Sequence, residues 1–237
     1  VTITRIGFVP SAPLLIPDVA GGAANADELL RAACSRVVAD LTQPPTRHVI
    51  VLAPALNRSA IRQWPGTATW TFDGFGVARH LAPTDVALPW PLGIGAWLLD
   101  EAHWDGARRY VEVGEIDEDI PDRPAPLSLA AEPTAVVAIG DGSARRSEKA
   151  PGHFDSRAQD FDDTVAAALS AGDSRALVGL DGTLADDLWC AGHPVWRAVA
   201  AATIDRRVDR SVLLSHTSPY GVGYFVAEWT VRPDGTR

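Results

Sequence analysis

Between Gly140 and His153 the chain gathers a carboxylate (Asp141), a hydroxyl (Ser143), three cations (Arg145, Arg146, Lys149) and an imidazole (His153). Glycine-flanked backbone donors beside guanidinium forks describe an anion pocket able to hold a carboxylate or phosphate. In that pattern Ser11, Asn57 and Ser143 supply polar contacts and Tyr220 orients the ligand. The same loop also suits metal-free hydrolytic or transfer chemistry, with Asp141 and His153 as acid and base and Arg145 stabilising developing charge. Plainer roles stand beside these: Asp141 bracing its own turn through backbone N–H groups, and the three cations forming a solvated loop. His193 and His216 divide in the same way between ligand contact and structural histidine, while His48, His80 and His103 carry no assigned role. A relocated metal site drawing on Asp141, His153 and His193 has no ligand spacing behind it. Serine-hydrolase elbows, phosphate-binding loops of the Walker type and dinucleotide fingerprints are all missing from the sequence.

The elements that must position these groups are legible in the hydrophobic pattern. An apolar run over Thr134 to Ile139 stops at Gly140-Asp141-Gly142-Ser143, which is how open α/β sheets build ligand loops outside the carboxyl ends of their strands. Further strands are expected over Arg5 to Val9, His48 to Ala53, Thr67 to Phe72, Arg109 to Val113, Ser211 to Ser215 and Val222 to Val231. Asn25 with Glu28 resembles a capping box, and Leu29, Leu30, Ala33, Val37, Val38 and Leu41 then recur at helical spacing. A second helix is expected from Pro91, a third capped by Asp155 or Ser156, and two or three short ones between 173 and 206. Strands alternating with helices predict one α/β domain over 1–237: a three-layer α/β/α sandwich around a central mixed, largely parallel sheet. If the strands ending at Val9, Ala53 and Ile139 are parallel neighbours, their loops, with the one from His216 to Gly223, wall a single pocket.

Composition narrows the classes. With 46% hydrophobic and 22% charged residues the chain has the balance of a soluble protein, and no apolar run reaches the ~18 residues of a membrane span. A net charge of −9 argues against a broad nucleic-acid surface. The β-branched start at Val1 to Val9 reads as a strand and not a signal peptide, which favours the cytoplasm. Cys34 and Cys190 lack C-x-x-C spacing and read as buried structural thiols. The acidic run Asp117, Glu118, Asp119 and Asp122, close to Pro121 and Pro124, reads as a solvated excursion. The eight tryptophans are expected mostly in the core or at interfaces.

Three segments together carry a resemblance. Pro10-Ser11-Ala12-Pro13-Leu14-Leu15-Ile16-Pro17, Ala53-Pro54-Ala55 and Gly140-Asp141-Gly142-Ser143-Ala144 resemble, in order and frame, the superfamily formed by the catalytic chains of class III extradiol ring-cleavage dioxygenases. Gly140 to Gly152 combined with Tyr220 to Ala227 is similar to a branch of that superfamily without assigned function. The resemblance implies an Fe(II) centre built from two His and a carboxylate, with a further His as acid or base. Here the two metal histidines fall on Ser11 and Ala55, the catalytic one on Ala144, and the carboxylate near Cys190 to Trp196, where only His193 stands. The expectation is therefore a cleft without its iron, binding a small anionic or aromatic molecule without ring cleavage, with no cofactor and with self-assembly open. A metal-free enzyme and a partner-binding subunit are the alternatives.

Overall fold

Every residue from Thr134 to Ile139 is buried, and this strand sits at the centre of the molecule. The computed structural model describes residues 2–21, 27–56, 61–77, 79, 81–114, 127 and 132–232. They form strands β1 (Thr2–Val9), β2 (His48–Pro54), β3 (Arg62–Trp64), β4 (Ala107–Val113), β5 (Pro133–Ile139), β6 (Val208–Thr217) and β7 (Tyr224–Val231). The helices are α1 (Pro17–Ala20), α2 (Glu28–Leu41), α3 (Trp90–Glu101), α4 (Ala158–Ala171), α5 (Ser174–Val178), α6 (Gly182–Asp187) and α7 (His193–Thr203). One seven-stranded sheet runs in the order β3-β4-β2-β5-β1-β7-β6. β4, β2, β5 and β1 are mutually parallel, while β3 pairs antiparallel with β4, β7 antiparallel with β1, and β6 antiparallel with β7.

A strand with helices over both faces has no polar side, which is why β2 and β5 are continuous apolar runs. Alternation then divides each between two cores. Val49, Val51, Ala53, Ala135, Val137 and Ile139 pack under α2 and α3, whereas Ile50, Leu52, Val136 and Ala138 pack under α4 to α7. The result is the expected α/β sandwich around a mixed sheet that is mostly parallel at its centre. α2 buries one stripe, Leu30, Cys34, Val37, Val38 and Leu41. α3 is buried on all sides from Pro91 to Leu99, so something must cover its outer surface.

That cover is the segment expected to be a strand over Thr67 to Phe72. It makes only isolated bridges, Thr69 to Ala87 and Phe72 to Val77. Instead of a ladder, side chains hold it: the Trp70 indole N–H donates to Asp100 at 2.8 Å, and Trp70 and Phe72 close over Gly93 of α3. β3 lies outside the expected strands. The third helix begins at Ala158, where the Arg157 N–H bonds the Asp155 carboxylate at 2.9 Å. Asn25 and the acidic run lie outside the described residues, and α2 starts behind Asp27 without a side-chain cap. Both cysteines are free and buried. Among the described residues no helix is long and apolar enough to cross a membrane.

Candidate functional site

Strand order places the site. β2 leads through α3 to β4 on one side, and β5 leads through α4 to α7 towards β6 on the other, so β2 and β5 flank a switch point in the connectivity. Crevices form outside the carboxyl ends of strands at such a point. A cleft of about 480 Å³ opens there. Its floor comes from the loops after four parallel strands: Ser11 after β1, Ala55 and Leu56 after β2, Gly114 after β4, and Asp141 and Ala144 after β5. Its walls are the first turns of α3 (Trp90, Pro91) and α7 (His193, Pro194), together with Trp189, Pro151 and Val222. The volume matches a small organic molecule.

Two backbone approaches hold the walls in place. A Cβ on Gly140 would lie 2.4 Å from the Gly192 Cα, and a Cβ on Gly192 would lie 2.4 Å from the Trp196 ring. The end of β5 and the start of α7 therefore touch backbone to backbone, and the Gly192 N–H donates to the Asp141 carbonyl at 2.8 Å.

Asp141 ties β1 to β5. Its carboxylate accepts the Ser11 N–H and the Ser11 hydroxyl, each at 2.7 Å. Burial pushes the Asp141 pKa up to about 6, against the two Ser11 bonds, which favour the ionised form. A carboxyl group raised above its unfolded value of 3.8 binds more protons in the native state, so stability should fall as pH rises from about 4 to about 6. The penalty is on the order of 3 kcal/mol. Asp141→Asn should remove that fall: in denaturant melts across this window the variant should gain on the wild type as pH rises. Parallel curves would contradict the assignment.

Burial keeps two further groups at the cleft uncharged at neutral pH. Burial pushes the Cys190 thiol far up, with Asp162 adding to the shift, so it is no nucleophile at neutral pH. Burial, followed by Arg197, lowers the His193 pKa and keeps this ring neutral. Its Nε2 is buried without a hydrogen-bond partner.

The expected site residues divide. Ser11, Asp141 and His193 line the cleft, as do Ala55 and Ala144. Ser143 and Arg146 do not: Asp162 of α4, fully buried, accepts the Ser143 N–H, the Ser143 hydroxyl and an Arg146 N–H, all at 2.8 Å. The glycines around them serve this carboxylate, since a Cβ on Gly142 or Gly223 would run into it. The charged loop is a latch: Gly142 donates to the Gly223 carbonyl, Gly223 to Ser143, and Arg146 to Gly221. Arg145 lays its guanidinium over the Trp189 ring, 5.1 Å from the centroid. Lys149 and His153 are exposed outside the cleft, so Asp141 and His153 are not brought together there. Tyr220 donates to Asp27 at 2.7 Å, also outside it. His216 stacks on Phe225. Asn57 lies outside the described residues. Among the described residues the charged groups that line the cleft are acidic, Asp141 and Asp186.

Trp90 and Trp189 read in the sequence as core residues, although the Trp90-Pro91 pair at a helix start was an available signal for the first; Asp186 left no signal. Among the described residues no group of three or more His, Cys, Asp and Glu could hold a metal ion. The molecule is thus an α/β sandwich with an aromatic-walled cleft at the carboxyl ends of its parallel strands. No family model matches the chain, and no curated protein matches it in sequence.

Proposed function

We propose that this chain is a class III extradiol dioxygenase-like protein whose cleft persists without an iron centre, and that it binds a small aromatic molecule without cleaving the ring. One observation carries the reading: Ser11, Ala55 and Ala144, the positions where the resemblance requires histidines, line one cleft. The donor set does not fit Fe(II). The Ser11 hydroxyl is spent on Asp141, and two alanines offer no donor atom. What remains suits recognition: Trp90 and Trp189 provide flat apolar walls, prolines stiffen the rim, and Asp141 accepts hydrogen bonds at the floor. The metal-free acid–base alternative loses support with His153 outside the cleft. The two free cysteines suit a reducing cytoplasm, where this reading places the protein.

Protein incubated with Fe(II), desalted and assayed for bound iron should retain far less than one equivalent, and oxygen uptake with catechol should equal the protein-free blank. Stoichiometric iron together with a ring-opened product would overturn the reading.

A further inference from the structure

Resting on that reading, we propose that the molecule held in the cleft is an aromatic amine, bound as its cation, and that Trp189 is a specificity residue for it. Charge gives the first line of support. Among the described residues the cleft is lined by two carboxylates, Asp141 and Asp186, and by no lysine or arginine. Among the described residues, the cations of the neighbouring loop after β5 do not line it. Arg146 pairs with buried Asp162, Lys149 is exposed outside the cleft, and Arg145 faces the Trp189 ring and acts on Asp155. Asp141 has acceptor capacity to spare, because an ionised carboxylate offers about four lone-pair sites and Ser11 uses two. An ammonium group fits this floor, and a carboxylate would meet repulsion there.

Trp189 gives the second line. α6 ends in a Schellman turn: the Trp189 N–H donates to the Asp186 carbonyl at 3.0 Å and the Cys190 N–H to the Ala185 carbonyl at 2.8 Å. Trp189 therefore occupies the left-handed position, at φ +57°, where glycine is the favoured residue. Its side chain is 51% exposed, so core packing does not account for a tryptophan at a site that strains it. Strain retained against the local preference marks a residue kept for what it contacts. Arg145 already lies over this indole, so the part left to Trp189 at the rim of the cleft is to stack on the aromatic ring of the ligand, with Trp90 supplying a second indole.

Calorimetric titration at about pH 8, where Asp141 is ionised, with three probes of similar size separates the possibilities: 2-phenylethylamine, 2-phenylethanol and 3-phenylpropanoate. The amine should bind at least about tenfold more tightly than either of the others, and the preference should shrink in Asp141→Asn and Asp186→Asn. Trp189→Gly should melt no lower than the wild type, because it relieves the strained turn, yet bind the amine at least about tenfold more weakly. Equal or tighter binding of the carboxylate or the alcohol would overturn the amine assignment and leave the cleft reading standing. Undiminished amine binding by Trp189→Gly would overturn the role of Trp189. Binding of none of the three would remove the cleft reading itself, as would binding unaffected by filling the cleft with Ala55→Phe.

Discussion

Asp162→Ala should destabilise the protein by about 3–5 kcal/mol, the range for removing one partner of a buried ion pair. The carboxylate is fully buried and accepts three hydrogen bonds at 2.8 Å, two from Ser143 and one from Arg146. Alanine leaves the Ser143 N–H and hydroxyl buried without acceptors and strips the Arg146 guanidinium, only 12% exposed, of its counter-charge. Arg146 would keep its Gln159 contact, which carries no charge. The loss extends beyond one pair, because Asp162 fastens the loop after β5 to the glycine turn before β7. Urea unfolding measures it directly. A loss below about 1 kcal/mol would show that the latch is not what holds this loop.

Gly140→Ala should cost about 1–3 kcal/mol and also weaken whatever binds in the cleft. Its new methyl would lie 2.4 Å from the Gly192 Cα, which is backbone and cannot swing aside as a side chain would. Relief requires α7 to move away from β5, and α7 carries the wall residues His193 and Pro194. That movement would carry Trp196 of the same helix with it and disturb its buried edge-to-face contact with Phe225. The variant should therefore show a lowered melting temperature together with reduced affinity for aromatic probes. A stable variant with unchanged affinity would mean that the strand end and the helix start are not coupled. Both outcomes are read from a thermal melt and a titration on the same sample.

Much of the frame was readable because burial on both faces of a parallel strand leaves an unbroken apolar run, and a strand end in a glycine turn leaves a second signal. The ends of β1, β2 and β5 were expected side by side on that basis, and the sheet order puts them there. The chemistry was harder to read. Arg145, Arg146 and Ser143 cluster in sequence, yet the partner that engages Ser143 and Arg146 is Asp162, which sits on a helical face that reads as ordinary surface charge. A buried ion pair between a loop and a helix leaves no periodic trace. Trp189 was equally hidden, since its meaning depends on a left-handed backbone position that only three-dimensional structure reveals. The strand expected over Thr67 to Phe72 failed for a related reason: its aromatic residues face α3, and side-chain packing took the place of a ladder.

Eight tryptophans are spread through the chain, and only Trp90 and Trp189 line the cleft. Following their indole N–H signals by NMR while a small aromatic compound is added, with no metal present, is therefore the sharpest single measurement. Those two signals should shift saturably and should cease to respond once Ala55→Phe fills the space. Unmoved indoles, or shifts that require Fe(II), would contradict an aromatic-binding cleft that has no iron.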